Sequence, residues 1–252
     1  MAEFIPIDKI EWKLVKYLRQ GETRNYDYEF WLNEPLASWD VWDYWERERI
    51  ESMRTHLKQG NVLFDIGTEQ GWCNLAYANM VGAENMVLIE PTKEFWNNIR
   101  ALWDKNYSIG PKLAYSGLIS TESSKNWKEG LSVWKESNGP LIDRNKYQYI
   151  HEHSNDIQSV TLDDLVRETG VVPDALTMDC EGAEILILKG ARETIETYKP
   201  LIWASLHPDM ALRDYNSPIQ EVHDFLAELG YVGEYLATDH EEHWFFKPTG
   251  LL

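Results

Sequence analysis

Cysteine is scarce in this chain: Cys73 and Cys180 are the only two among 252 residues. Neither has a Cys or His partner at metal-ligand spacing, and both fall inside apolar segments. Two free thiols are therefore expected rather than a disulfide or a zinc site. Positive charge is short as well, with 24 Lys and Arg against 42 Asp and Glu and a formal charge of −18. Such a surface repels phosphate backbones and anionic lipid, so nucleic acid and membrane are not expected partners. No stretch approaches the roughly 18 consecutive apolar residues that span a bilayer. The opening Met1-Ala2-Glu3-Phe4 also lacks the basic-then-apolar order of a secretory signal, and the expected location is the cytoplasm. Neither a G-x-G-x-x-G fingerprint nor a P-loop occurs, which disfavours a nicotinamide, flavin or nucleoside triphosphate ligand.

What the chain does have is apolar runs of strand length alternating with helical segments from Asn61 onward, the pattern of parallel strands joined by crossovers. Strands are expected over Val62–Ile66, Met86–Glu90, Lys112–Ile119, Asp174–Met178 and Leu201–Leu206. Tyr231–Leu236 and His243–Lys247 follow as a terminal antiparallel pair. Phe95, Ile99 and Leu102 mark one helix. Thr161 with Asp164 resembles a capping box for another, and Ser217, Pro218 and Gln220 open a third whose apolar stripe ends at Gly230. Residues 120–160 carry Gly, Ser and Asn breaks and are expected to be an insertion near the strand ends. The expected organisation is an aromatic-rich, helical elaboration over 1–59, serving as substrate cap or scaffold, and a doubly wound α/β domain over 60–252. In the elaboration, Ser38 caps a helix carrying Trp42, Trp45, Ile50, Met53 and Leu57.

The first strand runs into Asp65-Ile66-Gly67-Thr68-Glu69-Gln70-Gly71, an acid and two glycines that open a helix at Trp72. A glycine turn lets backbone approach a ligand that a Cβ would exclude. The second strand ends in Glu90-Pro91, where a carboxylate can take both hydroxyls of a ribose. A glycine turn and a ribose acid without a basic residue fit an adenosyl group that carries no phosphates.

The most specific segment is Asp179-Cys180-Glu181-Gly182-Ala183-Glu184, continuing to Leu188-Lys189-Gly190-Ala191. Together with Asp65-x-Gly67, Glu90-Pro91 and Thr161-Leu162-Asp163-Asp164-Leu165, it resembles the FkbM-type methyltransferases over roughly residues 60–210. The resemblance implies a Rossmann-like class I methyltransferase sheet and an O-methyltransferase that uses S-adenosylmethionine. The chain departs from the family pattern in two places. Thr68-Glu69 stands where Ala-Asn is common, and Ser205-Leu206-His207 stands where Glu-x-His is common.

Ligands of such sheets lie across the carboxyl ends of the strands, which brings Asp65, Glu90, Asp179 and His207 around one crevice. The cofactor residues expected there are Asp65, Gly67, Gly71, Glu90, Pro91 and Asp179. Asp179 or His207 is the expected general base, with Glu181 orienting the acceptor. His207 precedes Pro208 and has the alternative role of tying down a loop. Glu184 is read as an acceptor for backbone donors at a helix N-terminus. Asp239, His240 and His243 could join Asp179 and His207 around a divalent metal, but turn residues of these types are usually just exposed, and no metal is expected. The expected acceptor is a hydroxyl on a sugar or sugar-containing small molecule. One or two of Trp12, Trp31, Trp39, Trp42 and Trp45 would stack on it, with Asn33, Asp40 and Asp43 bonding its hydroxyls. The alternatives are a methyltransferase for another acceptor (nucleic acid, lipid or protein) and a non-catalytic module that binds an adenosyl nucleotide. A nucleic-acid methyltransferase is disfavoured because no Asn/Asp-Pro-Pro-Tyr/Phe motif follows the fourth strand.

Overall fold

The computed structural model describes residues 4–5, 9–17, 28–33, 46–142 and 157–251. Its strands are β1 (Phe4–Ile5), β2 (Trp12–Tyr17), β3 (Tyr28–Asn33), β4 (Leu63–Ile66), β5 (Met86–Ile89), β6 (Leu113–Tyr115) and β7 (Leu118–Ile119). β8 (Leu141–Ile142), β9 (Ser159–Val160), β10 (Ala175–Asp179), β11 (Leu201–Leu206), β12 (Tyr231–Thr238) and β13 (Glu242–Pro248) follow. The helices are α1 (Arg47–His56), α2 (Trp72–Val81), α3 (Phe95–Asn106), α4 (Val133–Glu136), α5 (Leu162–Thr169), α6 (Glu184–Lys189), α7 (Arg192–Tyr198), α8 (Pro208–Tyr215) and α9 (Gln220–Glu228).

Seven strands form one sheet in the order β12-β13-β11-β10-β4-β5-β6. β11, β10, β4, β5 and β6 are parallel, while β13 runs antiparallel to β11 and to β12. This is the expected doubly wound sheet with its terminal hairpin. The chain order reverses beside β4, between β5 and β10, so a crevice opens outside their carboxyl ends.

Successive side chains of a strand point to opposite faces, and the two core layers follow that period. Leu63, Met86, Leu88, Ala175 and Trp203 face α1, α2, α3 and the β2–β3 pair. Phe64, Val87, Leu176, Ile202 and Ala204 face the layer that includes α5, α6, α7 and α9. α2 is buried nearly all round, as its run of Trp72, Leu75, Ala76, Tyr77, Ala78, Met80 and Val81 requires. The cap on α5 forms as expected, with Thr161 Oγ1 accepting the Asp164 N–H at 3.0 Å. Val222, Phe225, Leu226 and Leu229 bury the predicted stripe of α9 and the turn after it.

Three details differ from the sequence reading. The expected strand over Lys112–Ile119 breaks at Ser116-Gly117, and β7 leaves the main sheet to pair with β9. Gly117 is required there because a Cβ would sit 2.4 Å from the Tyr115 hydroxyl and 2.7 Å from the Gln158 carbonyl. The N-terminal elaboration contains the antiparallel pair β2–β3 as well as a helix. Trp31 exchanges hydrogen bonds with the Asn106 side chain on α3, and Lys105 lies over the Trp31 ring at 4.7 Å. The helix expected from Ser38 begins, within the described residues, at Arg47. Ser38, Trp39, Asp40, Trp42, Asp43 and Trp45 lie outside them.

Candidate active site

A cavity of about 620 Å³ opens at the carboxyl ends of β4, β5 and β10. Asp65, Gly67, Glu90, Pro91, Asp179 and Glu181 all line it. Gly71 and His207 are not on its wall. Gly71 starts α2 in a left-handed conformation (φ +88), with Asn74 and Ile99 packed where a Cβ would stand. Gly67 also lines the cavity, but the steric demand upon it comes from the neighbouring strand: a Cβ would stand 2.0 Å from the Asp179 carbonyl oxygen. With φ +89 as well, only glycine fits this position.

At the β4–β5 end the acids meet neutral donors. Glu90 accepts the Glu69 N–H at 2.9 Å on Oε2 and the Thr92 N–H at 2.8 Å on Oε1. Glu69 presents that N–H from a left-handed conformation (φ +50), a strained geometry of the kind found at ligand sites. Asp65 Oδ2 accepts from Thr68 Oγ1 at 3.2 Å and from the Asn74 amide. Burial is the main influence on both acids and pushes each up to about 7.

The β10–β11 end is built differently. Asp179 ends β10, and Glu181 follows in the turn after it with a left-handed conformation (φ +53). Gly182 packs so tightly on α8 that a Cβ would lie 2.6 Å from the Ala211 nitrogen. Glu184 accepts the Cys180 and Gly182 N–H groups at 3.0 and 3.3 Å, the backbone role expected of it. His207 stands behind this turn at the start of α8. Its Nε2 is 3.6 Å from Asp179, 3.7 Å from Glu181 and 2.9 Å from Glu241, and its Nδ1 is 3.5 Å from Glu184. Burial opposes a charge on this imidazole, yet the acids around it lift it to about 11. His207 also stands off the cavity wall, whereas Asp179 is on it. Burial, and then the charges of Glu241 and Glu46, push Asp179 well above the usual carboxylate range.

Glu241 and Arg49 escaped the sequence reading. Glu241 lies between His240 and His243 in an acidic, histidine-rich turn, and that composition was its one signal. It supplies the acid that Ser205 does not. Ser205 instead bonds His243 Nδ1 at 3.0 Å, and His243 Nε2 meets Asp239 at 3.0 Å. The expectation that these turn residues are exposed is corrected for His243, which is 1% exposed because β13 pairs with β11 in register Ser205↔His243.

Asp65, Thr177, Asp179, Ser205 and His243 therefore form a polar seam on the face that α1 covers. Arg49 descends from α1 onto it, paired with Glu46 and 2.9 Å from the Tyr77 hydroxyl. Glu46 and Arg49 line the cavity, whereas Trp12 and Trp31 do not. The Glu46 N–H reaches Asp239 in the β12–β13 turn at 3.3 Å, joining the start of α1 to the turn that carries Glu241.

Residues 65–232, about two thirds of the chain, match the Methyltransferase FkbM domain. The chain belongs to the FkbM methyltransferase family. It carries a methyltransferase domain of the S-adenosylmethionine type. A solved FkbM methyltransferase from Methylobacillus flagellatus KT has the same fold, with 15% identity and a TM-score of 0.51 over 76% of this chain. The match covers 44% of that protein, so this chain spans under half its length. TYW2 of M. jannaschii, solved with AdoMet, is 12% identical over 93% of this chain and 92% of that one, with a TM-score of 0.38. A putative tRNA (m1A22) methyltransferase of Streptococcus pneumoniae, solved with S-adenosyl-L-methionine, is 12% identical over 79% and 70%, with a TM-score of 0.40. No curated protein matches the chain. Among the described residues no helix is long and apolar enough to cross a membrane.

Proposed function

We propose that this protein is an O-methyltransferase that transfers the methyl group of S-adenosylmethionine to a hydroxyl of a sugar or sugar-containing small molecule. The observation that carries the reading is one cavity, of a volume usual for small-ligand sites, walled by Glu90 at one end and Asp179 at the other. The fit to the cofactor rests on Glu90. Each of its oxygens accepts one backbone N–H, which leaves lone pairs for two ribose hydroxyls. Ile89, Leu118 and Ile119 give the apolar wall that an adenine needs, and Asp65 with the Gly67 turn receives the methionine part. Pro91 borders the same end.

Bound there, the cofactor supplies an electrophilic methyl group on a sulfonium. The chain's own task is to hold an acceptor hydroxyl in line and to take its proton. Asp179 does the second, because it reaches the cavity wall while His207 stands behind it. Glu181 orients the acceptor, and His207 positions both acids. A wall of Glu46, Asp179, Glu181, Tyr215 and Glu241 offers hydrogen-bond acceptors to a neutral polyhydroxyl ligand and repels a polyanion. Sugar stacking by Trp12 or Trp31 has no support, since neither lines the cavity.

The test is transfer of labelled methyl to a panel of sugars, glycosides, lipids and RNA. Sugar hydroxyls should be methylated. Asp179→Asn should lose turnover by about 10²–10⁴-fold while keeping S-adenosylhomocysteine affinity within about twofold. Methylation of RNA or lipid alone would overturn the acceptor assignment, and near-normal turnover in Asp179→Asn would overturn the base.

A further inference from the structure

The carboxylate of Glu241 is 2% exposed, and neither of its oxygens accepts an aligned hydrogen bond among the described residues. Two imidazoles crowd it: His207 Nε2 and His240 Nε2 lie 2.9 and 2.5 Å from Oε2. A buried carboxylate without an aligned donor is costly in an enclosed site, and a cation on it is the simplest way to satisfy it.

One ligand atom each of Asp179, His207 and Glu241 lies within 4.8 Å of the other two. An imidazole with two carboxylates is a donor set for a hard or borderline divalent cation such as Mn²⁺, which displaces the protons these groups otherwise hold, and not for a thiophilic metal. Glu184 faces the far side of the His207 ring, in the place from which carboxylates orient metal-bound imidazoles.

We propose that Asp179, His207 and Glu241 form a divalent-cation site on the wall of the methyl-transfer cavity. This reverses the expectation of no metal drawn from sequence. The neighbouring group of Asp239, Glu241 and His243 is the weaker candidate, because both ring nitrogens of His243 already have partners, Ser205 and Asp239. Asp179 and Glu241 border the cavity, so water or an acceptor oxygen completes the coordination shell. The cation's role there, fixing the acceptor hydroxyl, rests on the methyl-transfer reading above. Its binding does not.

The experiment is Mn²⁺ binding to the full chain near neutral pH, followed by electron paramagnetic resonance, with S-adenosylhomocysteine binding measured in parallel. Saturable binding of one Mn²⁺, with nitrogen hyperfine coupling from an imidazole, is the expected result. Glu241→Gln should weaken it at least about tenfold, and His207→Asn should also abolish the nitrogen signal. The exposed acid variant Glu122→Gln should change neither. Glu241→Asp, which keeps the charge but shortens the reach, is the milder variant and should weaken binding while S-adenosylhomocysteine still binds. Absence of binding up to about 1 mM Mn²⁺, or binding untouched by Glu241→Gln, overturns the site. If S-adenosylhomocysteine binds while Mn²⁺ does not, the cation proposal alone fails. Loss of S-adenosylhomocysteine binding in the unaltered chain would instead sink the cofactor reading.

Discussion

At the β4–β5 end of the cavity, each buried acid is answered by neutral donors from its own neighbourhood. Thr92 and Glu69 serve Glu90, while Thr68 and Asn74 serve Asp65. At the β10–β11 end, the acids Asp179, Glu181 and Glu241 gather from two elements around one imidazole, and Glu241 has no aligned donor. The first arrangement leaves carboxylates with spare lone pairs, which suits hydroxyl ligands of constant identity. The second holds excess negative charge in an enclosed place, which suits a step in which protons or cations change hands. Burial raises Asp65, Glu90 and Asp179 alike, but repulsion from neighbouring acids comes directly after it only at Asp179, while at Asp65 and Glu90 it ranks behind the groups that lower them.

The change with the largest expected effect strikes the point where the two ends touch. Gly67→Ala would drive a Cβ against the Asp179 carbonyl and should cost at least about 3 kcal/mol of stability, seen as a lower urea midpoint. An unchanged midpoint would show that β4 and β10 are less tightly joined here than the 2.0 Å approach implies.

Glu90→Ala addresses the first end alone. It should weaken S-adenosylhomocysteine binding by about 1.5–3 kcal/mol in calorimetry. Unaltered affinity would remove the ribose from that end.

The smallest effect is one of pH. Glu90 is held at about 7, above its ordinary value of 4.5, and the ionised form is the better acceptor for hydroxyls. Cofactor affinity should therefore rise at least about tenfold between pH 6 and 8 as the carboxylate ionises, and the dependence should weaken in Glu90→Gln, with Asp65, also held at about 7, carrying the remainder. The unliganded fold should move the other way. A carboxylate raised by burial favours the folded state while protonated, so this contribution is lost as pH rises from about 4.5 through 7. A pH-independent affinity would mean that the neutral acid serves the ribose equally well.

The contrast between the two ends also separates what could be read in the sequence from what could not. Asp65, Gly67 and Glu90 sit at strand termini and in a tight turn, and local periodicity with punctuation is enough to place them. The parallel order of β4, β5, β10 and β11 follows from the same signals, as does the terminal hairpin. Glu241 is different, because its position depends on β13 inserting next to β11, a pairing across some 40 residues that no local pattern encodes. Arg49 reads as one more charge on a polar helix until the seam of Asp65, Thr177 and Ser205 beneath it is known. The break after β6 has a local signal in Ser116-Gly117, but a glycine inside a strand also fits a bulge, and only the crowding at Gly117 divides the segment.

The join between the start of α1 and the β12–β13 turn divides the cavity between two parts of the chain. Asp65, Glu90, Asp179 and His207 all fall within residues 65–232, the segment shared with the family. Glu46, Arg49, Asp239 and Glu241 lie outside it, on the two flanks, and meet through the Glu46 N–H and Asp239. On the proposed reading, the matched segment carries the grip on the donor, and the two flanks clasp each other over the reacting end. Changing both flanks would then alter the acceptor end while leaving Asp65 and Glu90 in place.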